Sequence, residues 1–238
     1  SVLTPYLADK SLKNRFQFSL KYISEAYKKS HDLIYRSING VICSDIDYSR
    51  AFSNNSKYLG LIPNPINTSL FETNTVEQPN NTITIFHGIN THSSIKKGSV
   101  FFTEALKIIK ENYKEKVTII ETKNLPYKTY INSYNKADIV LDQVYSYDQG
   151  YNALEAMAKG KVVFTGAEQE WLQHYNLTSN TVAINALADV SYLVEQLEWL
   201  INNPTTIKTI GNNAKDFIKT HHNYITIANR YLTTWKDN

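Results

Sequence analysis

Five short runs rich in β-branched residues limit what this chain can fold into: TITIF (82–86), VTIIE (117–121), DIVLD (138–142), KVVFT (161–165) and TVAI (181–184). Most are near-continuously apolar, the pattern of strands buried on both faces. Helix-patterned stretches lie between them, among them SVFFTEALKIIKEN (99–112), YKTYINSYNKA (127–137) and YNALEAMAKG (151–160). Strand and helix in alternation specify an α/β fold, a doubly wound parallel sheet with helices over both faces.

The flanks are different. Between residues 10 and 36, Phe16, Leu20, Ile23, Tyr27 and Leu33 recur among polar residues at spacings that predict one or two amphipathic helices. GVICS (40–44) reads as a short buried strand, and DIDYSRAFS (45–53) as a helix opened by acidic residues. LIPNPINTSLFETNTVEQPNN (61–81) carries three prolines and no period, so it is the expected linker. The end of the chain is helical, broken by NNP (202–204). The expected division is a unit at 1–60, a linker at 61–81, a strand-and-helix domain at 82–204 and closing helices at 205–238.

Composition removes several function classes. With 238 residues, 42% apolar and 20% charged, the chain is an ordinary globular protein able to bury a core. Its net charge of +3 is spread along the chain, so the footprint of a nucleic-acid binder is missing. The densest basic segment, YKKSHDLIYR (27–36), suits a solvated helix face or an anionic surface. No apolar run approaches the ~20 residues that span a bilayer, which leaves peripheral membrane contact. The single cysteine, Cys43, excludes a disulfide framework within the chain and reads as a small buried hydrophobe. Sequons at Asn54, Asn67, Asn80 and Asn176 follow no signal peptide, so a reducing, cytoplasmic setting is expected. The chain opens on SVLTPYLADK without a methionine, which leads us to expect a processed or partial product.

Ligands of open α/β sheets bind beyond the carboxyl ends of strands. The first such junction is FHGINTHSSIKKGSVFF (86–102), where a strand ends at Gly88, a loop runs through Asn90, and Lys97-Gly98 is expected to open a helix. Loop amides, a helix N-terminus and a lysine suit a phosphate, although Lys96 and Lys97 also suit a solvated loop. Neither a Walker loop nor G-x-G-x-x-G is present, and His87 reads as structural.

The second junction is LDQVYSYDQGYNALEAMAKG (141–160). Gly150 permits close approach, and the amides of Tyr151 and Asn152 would face an anion. Glu155 stands one turn further on, among Leu154, Ala156, Met157 and Ala158, so its carboxylate needs donors. Two sugar hydroxyls would serve, as would a backbone amide or Lys161. In the third junction, ETKNLPYKTY (121–130), Leu125 and Tyr127 could hold a base or simply pack. No metal-ligand spacing appears. Asp138 and Asp142 share a strand face, where capping, exposure and metal binding are all open.

ADIVLDQVYSYDQGYNALEAMAKGKVVFTG resembles the donor-site segment of retaining, nucleotide-sugar-dependent glycosyltransferases of the GT-B fold, the group 1 type common in bacteria. That segment runs roughly A-D-hydrophobic…E-G-x-G-x-x-x-x-E-A-M-A-x-G-x-P-V. IPNPINTSLFE is similar to the interdomain linker of these enzymes, and HGINTHSSIKKGSVFFTEAL to their phosphate-binding junction, so the resemblance covers residues 40–235. It implies that 82–204 is a Rossmann-like donor domain, that 1–60 is the tail of an acceptor-binding domain most of which is missing, and that 205–238 braces the two.

The resemblance further implies that Glu155 binds the nucleotide ribose and that Lys97 neutralises the leaving diphosphate, the catalytic role. Gly88, Asn90, Asp148, Gly150, Tyr151 and Asn152 complete the implied donor site, with no obligatory metal or other cofactor. The implied reaction moves a sugar, with retention, from a UDP- or GDP-sugar to a saccharide or lipid-linked acceptor in surface polysaccharide synthesis. Three positions depart from the pattern. Tyr147 stands at the first glutamate, which loses the sugar contact or moves it to Asp148, Ile89 stands at a common arginine, and Val162 at the proline. A non-catalytic nucleotide-binding or interaction module and a sugar-nucleotide epimerase are the alternatives.

Overall fold

The computed structural model describes residues 24–71 and 82–238, so Phe16, Leu20 and Ile23 of the expected first helices and most of the second half of the linker lie outside the described residues. The described chain opens on α1 (Glu25–Ser37), which buries none of its residues. YKKSHDLIYR therefore lies on a solvated helix. Next come β1 (Val41–Cys43), α2 (Ile46–Phe52) and β2 (Tyr58–Leu61), with β1 and β2 paired in parallel. Asp45 caps α2 by accepting from the Tyr48 amide at 2.8 Å, and Cys43 is buried as expected. The sequence did not announce β2, a four-residue YLGL run interrupted by a glycine.

The central sheet is built from β3 (Ile83–Ile89), then α3 (Ser94–Lys97) and α4 (Ser99–Asn112), β4 (Val117–Lys123), α5 (Tyr127–Asn135), β5 (Ile139–Leu141), α6 (Tyr151–Ala158), β6 (Val162–Thr165), α7 (Gln169–Tyr175) and β7 (Ile184–Asn185). All five strands are parallel, in the order β4-β3-β5-β6-β7. The last expected strand shrinks to two residues because β7 is an edge that pairs only with Phe164 and Thr165. Seven-residue α7 is too short to show a helical period.

Period-two alternation divides the strand side chains between two cores. Phe86, Val140 and Val163 face one way, packing with Tyr134, Leu154, Met157, Trp171 and Phe217. Ile85, Ile139, Leu141, Val162 and Phe164 face the other, packing with Phe102, Leu106, Ile109, Leu193 and Leu197. Each such fully buried side chain contributes roughly 1.5–3 kcal/mol. The cores thus hold the strand ends, and the loops leaving them, in fixed positions.

Three helices close the chain: α8 (Val190–Asn202), α9 (Pro204–His221) and α10 (Tyr224–Asp237). Proline at the first position of α9 fits a site where the missing N–H has no partner to lose. This helix buries Ile207, Ile210, Ala214, Phe217 and Ile218 in the cores of the central sheet. Helix α10 runs back to the β1–β2 pair: Arg230 donates to the Leu61 carbonyl at 2.8 Å, and Asn39 to the Asn238 carbonyl at 3.4 Å. The start of the linker is pinned as well. Ile62 and Ile66 are buried, and the amide of Ile66 donates to the His222 carbonyl at 2.7 Å.

Candidate functional site

The winding of the sheet places the site. From β3 the chain steps outward to β4, then returns across β3 to β5, so winding reverses between β3 and β5. At such a switch point the loops diverge and leave a crevice beyond the carboxyl ends of the strands. The 90s loop, the 142–150 loop and the N-terminus of α6 all issue there.

Lys97 lies in this crevice, though not as the sequence suggested. It ends the short α3 instead of opening α4, because Gly98 takes a left-handed conformation with φ of 66° between the two helices. A Cβ on Gly98 would collide with Val144 Cγ2, so the loop closes over a position that requires glycine. The Lys97 carbonyl accepts from the Val144 amide at 3.0 Å, tying the two loops together. Its ammonium donates to Asp142 Oδ1 at 2.7 Å; the lysine side chain is 30% exposed and the aspartate side chain 1%. A buried carboxylate thus anchors a partly exposed lysine side chain.

Helix α6 faces this pair. Gly150 precedes its first turn, no side chain caps it, and the position a Gly150 Cβ would take opens on empty space. The leading amides of a helix have no intrahelical acceptor and carry the positive end of the dipole. Asn152 is braced at both ends: its Nδ2 donates to Asp142 Oδ1 at 2.9 Å, and its Oδ1 accepts from Tyr130 at 2.6 Å. Tyr151 is exposed. Glu155 is half-buried, and no hydrogen bond reaches its carboxylate among the described residues. Lys161 does not pair with it, since its ammonium donates to the carbonyls of Asn135 and Ala137 at 2.9 and 2.5 Å. Burial pushes the Lys161 pKa down to about 8.

The remaining candidates are placed as follows. Gly88 carries no side chain where the Tyr130 ring crosses the strand, at 2.5 Å from a would-be Cβ. Asn90 is exposed and closes its own turn, accepting from the His92 amide at 3.0 Å. Leu125 is 37% exposed in the loop after β4, and that loop is tied to the 90s loop where Asn124 accepts from the Thr91 amide at 3.0 Å. The Tyr127 side chain lies outside the described residues. His87 is buried and structural in its contacts: Nδ1 meets Glu121 at 3.3 Å, Phe102 stacks edge-on, and burial lowers its pKa. Asp138 accepts from the Thr84 amide at 2.8 Å, at the opposite end of β5 from Asp142.

Asp148 is engaged by α2. Its Oδ2 accepts from the Ile46 amide at 2.7 Å, and the Tyr147 amide donates to Asp47 at 3.0 Å. Carboxylate oxygens of Asp45, Asp47 and Asp148 lie within 4.8 Å of one another. Burial, reinforced by the charges of Asp45 and Asp47 and opposed by the Ile46 amide, pushes Asp148 up to about 8. Tyr130 and this seam escaped the sequence reading, which weighed Asp142 as a strand-end cap, an exposed group or a metal ligand and missed it as the partner of Lys97 and Asn152. The signal for Asp142 was an aspartate ending a run of buried apolar residues in a central strand.

A family profile described as glycosyl transferase-like matches residues 92–233, more than half of the chain, including Lys97, Asp142 and α6. The chain belongs to this family. Similar solved structures include a glycosyltransferase from Rickettsia africae (16% identity over 90% of this chain and 67% of that one, TM-score 0.63). Others are S. aureus TarM (14%, 84% and 44%, 0.64) and Anabaena HepE in complex with UDP (16%, 84% and 64%, 0.62). No curated protein matches. The shared fold is that of the Rossmann-like domain of GT-B glycosyltransferases, and the chain spans 44–67% of the length of these three structures.

Within this glycosyl transferase-like frame the departures at the site have visible consequences. Tyr147, at the expected glutamate, lies beneath Arg50, whose guanidinium sits 4.4 Å from the ring centroid. Arg50 also pairs with Glu170. The 145–148 loop is thereby fastened to α2. Among the described residues no helix is long and apolar enough to cross a membrane.

Proposed function

We propose that the chain is the donor-binding part of a glycosyltransferase that moves a sugar from a nucleotide diphosphate to a saccharide or lipid-linked acceptor, with retention, in bacterial surface polysaccharide synthesis at the inner face of the membrane. One observation carries the reading: Lys97 and the uncapped N-terminus of α6 converge at the switch-point crevice, with the carboxylate of Glu155 one turn away and not hydrogen-bonded among the described residues. A diphosphate bridging the ammonium and the helix amides would put ribose hydroxyls within reach of Glu155. As the bond to the sugar breaks, negative charge builds on the departing diphosphate, and Lys97 and the helix dipole stabilise it there. These groups need no metal in that role. UDP is the favoured nucleotide, because HepE and TarM were solved with UDP and HepE also with UDP-glucose.

Calorimetric titration with UDP, GDP and their sugar conjugates tests this directly. The expected result is saturable binding of one nucleotide, weakened by Glu155→Gln. A folded chain that binds neither nucleotide sinks the reading. A second reading, a non-catalytic nucleotide-binding module, is favoured by Tyr147 and Asp148, both engaged by the residues of α2 and its cap where a donor-sugar contact is expected. Donor hydrolysis or sugar transfer by the chain would exclude it.

A further inference from the structure

We infer that Asp142 is the positioning residue of the diphosphate cradle, acting through Lys97 and Asn152 while touching no part of the donor. The inference rests on the nucleotide-diphosphate reading above. Asp142 follows the last residue of β5, where its amide donates to the Phe164 carbonyl at 2.9 Å, so the rigid sheet fixes its backbone. One carboxylate oxygen, Oδ1, takes both the Lys97 ammonium at 2.7 Å and the Asn152 amide at 2.9 Å. The other faces the Thr165 hydroxyl at 3.5 Å. Tyr130 holds the far end of Asn152, which sets the orientation of that amide group.

A single oxygen atom therefore locks together three separate elements: the 90s loop through Lys97, the first turn of α6 through Asn152, and the end of β5. These are the elements whose spacing a diphosphate must bridge. A lysine has four rotatable stem bonds, and holding it in one rotamer before a ligand arrives removes an ordering cost from binding. Charge alone predicts the reverse. A carboxylate beside a phosphate site repels the ligand and partly neutralises Lys97, so its removal would tighten binding.

The sign of the effect separates the two. The experiment is calorimetric titration of the full chain with whichever of UDP and GDP the wild type binds, on Asp142→Asn, Lys97→Met and the double variant. Positioning predicts that Asp142→Asn weakens affinity roughly tenfold, the scale of one charge-assisted hydrogen bond. In the Lys97→Met background the same change should cost less than in the wild type, with only the share carried by Asn152 remaining, whereas with Glu155→Gln the two losses should multiply. Tighter or unchanged binding by Asp142→Asn overturns the inference, as do losses that multiply with Lys97→Met. Should Asp142→Asn fail to fold, Tyr130→Phe tests the same lock at its outer end: roughly threefold weaker binding is expected, and wild-type affinity overturns it. A wild-type chain that folds and binds neither nucleotide fails the donor reading itself, a result distinct from each of these.

Discussion

The crevice and the seam beside it are built from one continuous stretch, 142–155, yet they treat carboxylates in opposite ways. In the crevice, Asp142 is buried with a lysine and an amide donating to it, and Glu155 is half-open with no donor among the described residues. At the seam, Asp148 sits against Asp45 and Asp47 with a single backbone amide. The first arrangement places charge where a ligand can meet it. The second suppresses charge, since burial and like-charged neighbours both favour the protonated acid. The difference teaches that resemblance at the level of residue type misleads at Asp148, whose partner belongs to α2, whereas at Glu155 the surroundings leave the carboxylate available.

The comparison can be broken most forcefully at Gly98. Valine there would meet Val144 Cγ2 in a left-handed conformation that β-branched residues avoid. A loss of roughly 3 kcal/mol or more and a Tm lower by roughly 6–12 °C are expected, read by thermal denaturation. The crevice should be lost and the seam kept. Lys97→Met leaves the buried Asp142 carboxylate with Asn152 as its close donor, so a lower Tm is expected together with nucleotide-diphosphate affinity weaker by roughly 10- to 100-fold in calorimetry. Glu155→Gln keeps the shape and removes the charge; about tenfold weaker binding is expected, for the monophosphate as well as the diphosphate. Equal affinity in Glu155→Gln and wild type would mean that the open carboxylate meets no ligand.

How much of this was legible beforehand depends on how local the cause is. The strands β3 to β6 and helices α4, α5 and α6 follow from runs and periods within a few residues, and the structure has every end within three residues of expectation. The crevice followed from strand-helix alternation, because a doubly wound sheet confines ligand sites to one edge. Partners distant in sequence stayed hidden. Nothing near Asp142 indicates a lysine 45 residues earlier, and nothing near Asp148 indicates the Ile46 amide 102 residues earlier. Lys97 at the end of α3 was missed for a nearer reason: KKG reads equally as the last turn of one helix closed by a left-handed glycine or as the start of the next.

The smallest expected effect sharpens the comparison most, because it concerns the seam alone. Asp148 titrates near 8 in the folded chain, against an unperturbed value of 3.8. Between these values the native state holds more protons than the unfolded chain, so stability falls as pH rises and its contribution is gone above about 8. Basic groups whose pKa burial lowers, His87 among them, act oppositely. His222, lowered to about 4, makes stability rise with pH up to about 6.5, and Lys161, lowered to about 8, makes it rise above that point. The interval from pH 6.5 to 8 therefore belongs mainly to Asp148, with Asp45 and Asp47, also raised by burial, acting in the same direction. Lys96, whose charge lowers the Asp47 pKa, opposes them in part. Over that interval the wild type should lose about 1 kcal/mol, or roughly 2–4 °C in Tm. In Asp148→Asn the side-chain carbonyl would still accept from the Ile46 amide but has no proton to lose, so the profile of that variant should be flatter. Nucleotide affinity should follow neither change, since the crevice anchors its charge on Asp142. Parallel Tm profiles for the two proteins would show that Asp148 ionises freely at neutral pH, and the contrast between seam and crevice would then vanish.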